Sequence, residues 1–259
     1  MKTPIILFRN NPDNKYEDHI ASKYFNVEYL RTRCKEKLVI GRYSVLPHYR
    51  ELENDLAQLG STLINNYEQH FWIANFEYHN ILQQHAPKTW FDCNFYQAPE
   101  GQYVVKGKTN SLKQRWNKLM FAPTKRKAVE IASELMNDSL IGPQGVIYRE
   151  YIPLETYEYG LYDIPYTNEW RFFYYKNNLL SYGYYWSCAD KTDYQVDPQA
   201  VFLAQTLANI VSKYVNFFVL DLAKTLNGKW ILIEINDGQM SGPSENNLDT
   251  LYRNLVDFL

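Results

Sequence analysis

Two carboxylates and a carboxamide mark where this chain can do chemistry. Asp221 lies in the apolar run Phe217–Ala223, and Glu234 and Asn236 end the run Trp230–Asn236. Between the runs, Lys224–Lys229 contains Asn227-Gly228, a strong short-range hairpin signal. Side chains alternate faces along a strand, so Glu234 and Asn236 point the same way, and Asp221 can face that side from the neighbouring strand. Hard oxygen donors framed by Val, Leu and Ile suit Mg²⁺. Without a metal, two carboxylates held this close would repel each other. The alternative is that Asp221 ends a strand and Glu234 sits at a solvated edge. A second chemical feature is cationic. Lys106 ends the run Tyr103-Val104-Val105, and from Lys106 to Val129 there are eight basic residues and no acidic one. Gly107-Lys108-Thr109-Asn110-Ser111 follows Lys106 as a polar loop, and the basic stretch could equally be a solvated face.

The elements that must hold these groups follow from periodicity. Pro4–Phe8, Val27–Leu30, Leu38–Ile40 and Ser61–Ile64 read as strands, with helices over Glu17–Phe25 and Tyr49–Leu59, the latter closed by Gly60. Strand, helix, strand with short joints predicts a small parallel α/β unit, whose strand ends present Arg42 and Asn65 to a cleft. Both could equally be a surface arginine and a turn asparagine. A helix over Phe71–His85 stops before Pro87, which suggests a boundary. Thr124 is the expected N-cap of a helix running to Met136. Gly145–Ile152 is a strand, and Glu169–Tyr175 with Leu179–Trp186 forms a hairpin over Lys176-Asn177-Asn178. Pro198–Tyr214 is expected to be amphipathic, with Phe202, Leu203, Leu207, Ile210 and Val211 on its apolar side. A last helix covers Leu248–Leu259.

Composition narrows the class. The 259 residues carry a net charge of −2 and are 46% hydrophobic, which gives a substantial core and no bulk attraction for nucleic acid. Three cysteines without zinc spacing predict free thiols in a cytoplasmic protein. No window approaches a membrane span, and Ile5–Phe8 is too short for a signal peptide. The 23 tyrosines offer stacking surfaces, although tyrosine is also a common strand residue.

Asp221 followed by Glu234-x-Asn236 resembles the metal-binding end of the ATP-grasp superfamily, and other segments fall in that family's order. Val104-Val105-Lys106 resembles the strand whose lysine holds nucleotide phosphates. The basic stretch after it, including Lys108, resembles the loop that closes over them, although it holds a single glycine. Arg149-Glu150-Tyr151-Ile152 resembles the linker that holds adenine through backbone groups, and Glu155 the acid that takes the ribose hydroxyls. Glu169-Trp170-Arg171 resembles the strand that sets an arginine beside the transferred phosphoryl group. The resemblance covers about residues 88–245; segment 153–168 matches nothing assignable. It implies an α/β protein with α+β lobes. A pre-ATP-grasp unit would span 1–87, a small lobe 88–152 and a large lobe 153–259. It also implies an ATP- and Mg²⁺-dependent carboxylate–amine or carboxylate–thiol ligase that releases ADP. Lys106 and Arg171 would be its catalytic cations, and Asp221, Glu234 and Asn236 its metal ligands. Arg42, Asn65, Gln239 and Ser241 are expected at the acceptor site, for a small-molecule, peptide or protein substrate. Two other classes stay open: an enzyme or binder directed at nucleic acid through the basic stretch and Trp116, and a nucleotide-binding protein without catalysis.

Overall fold

Ile5, Ile6 and Leu7 are buried on both sides of their strand, which dictates a parallel sheet covered by helices. In the computed structural model, which describes residues 2–11 and 15–259, β1 (Thr3–Leu7), β2 (Asn26–Glu28), β3 (Lys37–Gly41) and β4 (Thr62–Leu63) form that sheet in the order β2-β1-β3-β4. The crossovers are α1 (Lys15–Ala21) and α2 (Tyr49–Gln58), and Gly60 follows α2 in the left-handed region at φ +71°. The expected small α/β unit is present.

The expected helix 71–85 is instead α3 (Tyr67–Ala74) and α4 (His79–Leu82), followed by a 3₁₀ turn at Gln83–His85. The break falls at Phe76, whose backbone turns left-handed at φ +62° so that its ring and that of Tyr78 are both buried. Tertiary burial here overrides helical periodicity.

The second sheet is antiparallel, in the order β5-β8-β6-β7, from β5 (Thr89–Phe91), β6 (Tyr103–Gly107), β7 (Phe121–Ala122) and β8 (Val146–Glu150). Between β6 and β7 the chain forms the short helix α5 (Trp116–Leu119). Next, α6 (Lys125–Leu135) starts at Thr124, whose hydroxyl accepts the Lys127 N–H as expected. A two-stranded ribbon, β9 (Thr156–Tyr159) and β10 (Pro165–Thr167), fills the segment that the sequence left unassigned.

The third sheet carries the chemistry. It is antiparallel, in the order β12-β11-β13-β14, from β11 (Glu169–Tyr175), β12 (Asn178–Tyr184), β13 (Phe217–Lys224) and β14 (Trp230–Asp237). Phe172, Tyr174, Phe218, Leu220 and Leu222 on one face pack against α7 (Pro198–Val211) and against Trp72 and Phe76. Phe173, Tyr175, Phe217 and Val219 on the other pack against α8 (Leu248–Phe258) and against Ile6 and Ile20. The apolar stripe of α7 differs from expectation. Ala200, Ala204, Leu207, Ala208 and Val211 face the sheet, and Phe202 is 77% exposed. The small alanines let the helix lie close to large aromatic strand residues, a preference that counting large hydrophobics misses. No described helix is long and apolar enough to cross a membrane.

Candidate functional site

The site begins with a register shift. Near the turn, Leu222 pairs with Leu232 and Ala223 with Ile231; beyond it, Asp221 pairs with Glu234 and Val219 with Asn236. Ile233 is the extra residue of a β-bulge. Without it, Glu234 would face Leu220 and lie on the apolar side of the sheet, since a one-residue slip reverses every side chain. The bulge thus turns Glu234 and Asn236 to the face that holds Asp221. On β11, Arg171 pairs with Asp221, so Arg171, Asp221 and Glu234 form one row across three strands.

The carboxylates in that row do not stand in mutual repulsion. Arg171 Nε and Nη2 donate to the two oxygens of Asp221, each at 2.9 Å, and Nη1 donates to the Gly242 carbonyl at 2.8 Å. Asn236 Nδ2 adds a bond to Asp221 Oδ2 at 3.1 Å. From the facing sheet, Lys106 Nζ donates to Glu234 Oε1. The expectation of two repelling carboxylates is therefore corrected: each is neutralised by its own cation.

Electrostatics follow from burial and from these pairs. Burial alone would raise the Glu234 pKa, but Lys106, with Lys113 and Arg149, outweighs it and holds the carboxyl below its ordinary value. Burial depresses the Lys106 ammonium despite Glu234, and depresses Arg149 likewise. Burial opposes the charge of Arg171, but Asp221 more than compensates and raises its pKa. Glu169, two residues along the same face, is raised by burial, and Asp221 adds to the effect. Its Oε2 accepts from Thr167 Oγ1, and its buried Oε1 has no hydrogen-bond partner among the described residues.

Beside this charged end lies a cavity of about 350 Å³ between the second and third sheets. Val104, Met120 and Phe121 form one apolar wall, and Ile231 and Ile233 the other. Residues 149–152 and Leu154 form the back, and the β9–β10 turn reaches the mouth through Asp163 and Ile164. Lys113 reaches in from the loop after β6. It donates to the Tyr185 hydroxyl at 2.6 Å, and Tyr185 in turn lies with its ring centroid 4.7 Å from the Arg171 guanidinium carbon. An apolar cavity lined at its charged end by Lys106, Lys113, Glu169 and Glu234, with Arg171 and Asp221 beside them in the strand row, has the polarity of a nucleotide with its phosphates.

The profile of the ATP-grasp domain, R2K clade family 3, matches residues 95–255, more than half of the chain. The chain belongs to that family. Members of the ATP-grasp superfamily are ATP-dependent ligases. Solved ATP-grasp structures share the fold over nearly the whole length. An ATP-grasp RimK domain protein from Sphaerobacter thermophilus superposes with a TM-score of 0.58 at 11% identity, covering 99% of each chain. The D-cycloserine synthetase DcsG does so at 0.59 and 10%, covering 98% of this chain and 99% of its own. The ATP-grasp ligase PsnB, complexed with a minimal precursor, does so at 0.58 and 9%, covering 99% of each. None of the curated proteins compared matches the sequence.

Within this ATP-grasp chain the expected residues separate into three groups. Lys106, Arg149, Glu150, Tyr151, Ile152 and Glu234 line the cavity, with Asp221, Arg171 and Asn236 joined to Glu234 through the strand row. Two lie off it. The Lys108 ammonium turns to Asn75 Oδ1 at 2.9 Å, and Glu155 is held by its backbone to Lys224 and Asn168 between the lining residues Leu154 and Thr156.

The four residues expected at an acceptor site form a buried seam instead. Arg42 donates to Glu17 at 2.7–2.8 Å and to the Gly238 carbonyl. Asn65 bonds both the N–H and the C=O of Phe217, as a neighbouring strand would, and donates to Asp237 Oδ1 at 2.9 Å. His70 Nδ1 meets the other Asp237 oxygen at 3.2 Å. Gln239 accepts the Gly41 N–H and bonds Tyr49, and Ser241 donates to the Asp237 carbonyl. None of the four lines the cavity. Their strand-end positions are as expected, but residues 237–241 cover them.

Sequence reasoning missed Lys113, Glu169 and Tyr185 as site residues. The parity of Glu169 with Arg171 on one strand was the available signal for that carboxylate. The basic stretch also divides: Lys106 and Lys113 face the cavity, Lys125 donates to the Tyr96 and Ala98 carbonyls, and Arg126 and Lys127 pair with Glu130.

Proposed function

We propose that this chain is an ATP- and Mg²⁺-dependent ligase that joins a carboxylate to an amine or thiol and releases ADP. The observation that carries the proposal is the row Arg171–Asp221–Glu234, faced by Lys106 from the opposite sheet, at the polar end of an apolar slot. Adenine fits between Val104 and Ile233, with the backbone of Glu150–Ile152 at its edge. Lys106 then exchanges Glu234 for a phosphate oxygen, and Lys113 stands ready to do the same from the loop. Arg171, held by Asp221 and the Gly242 carbonyl, keeps its charge fixed where the phosphoryl group moves, so little reorganisation is needed in the transition state.

The donor chemistry fits Mg²⁺ that arrives with phosphates. No cluster of three or more His, Cys, Asp or Glu is placed to hold a metal among the described residues. Mg²⁺ in nucleotide sites needs only one or two carboxylates, with phosphate and water completing its shell. Asp221, Glu234 and Asn236 would hold it, and the free Oε1 of Glu169 lies on the same face. When bound, the ion would neutralise charge on the phosphates. In the reaction, a substrate carboxylate oxygen attacks the γ-phosphorus and ADP leaves. The amine or thiol then attacks the acylphosphate carbon and phosphate leaves.

PsnB, described as an ATP-grasp ligase, is complexed with a precursor peptide in one of the similar structures, and DcsG is described as a D-cycloserine synthetase. Both peptide and small-molecule acceptors are therefore in scope. The test is ADP release from Mg·ATP against pooled amino acids, peptides and cell extract, with products read by mass. Bound ATP that yields ADP with none of these pools would leave a nucleotide-binding protein and remove the ligase assignment.

A further inference from the structure

The loop that carries Lys113 into the cavity has an outer side. There, Gln114, Arg115 and Lys118 line a groove together with Lys127 and Glu134 of α6 and Tyr162 of the β9–β10 turn. Trp116 and Asn117 line this groove and the nucleotide cavity alike. On the opposite bank Tyr162 faces the groove while the next residue, Asp163, faces the cavity. The wall between the two spaces is thus a single layer of residues. One side belongs to the loop after β6 and the other to the ribbon beside the third sheet.

That second bank is held under strain. Tyr162 and Asp163 are consecutive non-glycine residues in the left-handed region, at φ 62° and 56°. Each costs about 1 kcal/mol or more, and such strain gathers at ligand clamps. It leaves Tyr162 74% exposed, with its ring presented to the groove. Arg115, Lys118, Gln114 and Asn117 are exposed as well.

We propose that this groove docks an acidic peptide segment, and that docking holds the loop against the ribbon turn and so closes the nucleotide cavity. Charge selects the occupant. Arg115 and Lys118 are exposed cationic heads outside the salt bridges of the described residues, while Gln114 and Asn117 supply amides that match an extended peptide backbone. The positive patch is short: Glu134 lies within its lining, Glu130 holds Lys127, and Asp138 feels the charge of Arg115, so it accommodates only a few carboxylates. Trp116 stacks on Phe121 at 6.2 Å and 16°, so the groove offers Tyr162 alone as an open ring. Single-stranded nucleic acid binding uses a series of such rings along a basic track. Because one occupant touches both banks, linkage requires peptide and Mg·ATP to tighten each other. The docking half stands on the groove alone; the coupling half rests on the cavity holding ATP.

The experiment uses the full chain and a fluorescein-labelled glycine–serine octapeptide carrying two adjacent glutamates, followed by anisotropy at low ionic strength. Mg·ATP binding is followed separately by tryptophan fluorescence. The peptide should bind, and saturating Mg·ATP should tighten it about five- to tenfold. Arg115→Glu with Lys118→Glu should weaken it at least about tenfold, since each reversal replaces attraction with repulsion. Lys213→Glu with Lys229→Glu, an equal charge change at exposed positions outside the groove, should not. Tyr162→Ala keeps every charge, and should keep most of the affinity while losing the ATP effect. Equal loss in the two double variants, or tighter binding of a twelve-nucleotide deoxythymidine strand than of the peptide, would overturn docking. Peptide binding unmoved by ATP that demonstrably binds would overturn coupling. Failure of ATP itself to bind would strike the ligase assignment and leave docking standing.

Discussion

Replacing Asp221 with Asn tests the charged row directly. The change keeps shape but removes the negative charge that Arg171 grips with two 2.9 Å bonds, in a pair whose side chains are 10% and 2% exposed. Breaking one side of a buried pair costs about 3–5 kcal/mol, because the other charge is left without compensation. Here Asn still offers one acceptor, the Gly242 carbonyl still takes Nη1, and Glu169 lies nearby, so the lower end applies, about 3 kcal/mol. For a chain of this size that lowers Tm by about 6–12 °C. Thermal unfolding by circular dichroism reads it, with urea unfolding to check that the transition stays two-state. Replacing the pair together, Arg171→Met with Asp221→Leu, should recover most of the loss, since apolar substitutes for a buried pair are often neutral. Activity should be lost in both proteins. An Asp221→Asn protein melting within about 2 °C of wild type, or above it, would mean that the pair is not what holds this part of the sheet.

His79 should shape the acid limb of stability. Burial, with Arg149 adding, depresses it from 6.5 to about 4. The unfolded chain therefore takes up the proton first as pH falls, and about 2 kcal/mol is lost between about pH 7 and about pH 5. In His79→Gln that share should vanish from urea unfolding at the two pH values; an unchanged slope counts against it. Lys106→Ala should chiefly weaken ATP binding and Arg171→Ala chiefly lower turnover, by calorimetry and ADP release; equal loss of binding in both would refute that division. In Gly183→Ala the new Cβ would lie 2.3 Å from the Glu245 carbonyl carbon, beside the segment that contacts Arg171. It should destabilise by about 1–3 kcal/mol and slow ADP release; a Tm equal to wild type would show that the segment yields freely.

Local signals placed much of this site, and tertiary geometry supplied the rest. The Asn227-Gly228 turn, the Glu-x-Asn spacing and the lysine after Val104-Val105 each depend on neighbours in sequence, and the structure brings them to one place. The bulge at Ile233 has no such signature, yet without it Glu234 would lie on the wrong face. Lys113, Glu169 and Tyr185 join the site through residues far away in the chain, so periodicity could not single them out. Arg42 and Asn65 show the reverse. They stand at the ends of parallel strands, where ligands commonly bind, but residues 237–241 return over them and consume their hydrogen bonds. On α7, volume decided the buried face: alanines let the helix approach aromatics, and Phe202 was left outside.

Asn65 takes the place of a missing strand beside Phe217, and together with His70 it completes the shell of Asp237. The amino-terminal unit is therefore not an interchangeable part. In a chimera that takes its first 70 or so residues from a relative with other side chains at 65 and 70, Asp237 becomes a buried carboxylate short of partners, one residue beyond Asn236. Drift at these three positions is bound together: each constrains which replacements the other two can accept. Recombination within the family should succeed only where the three travel as a set.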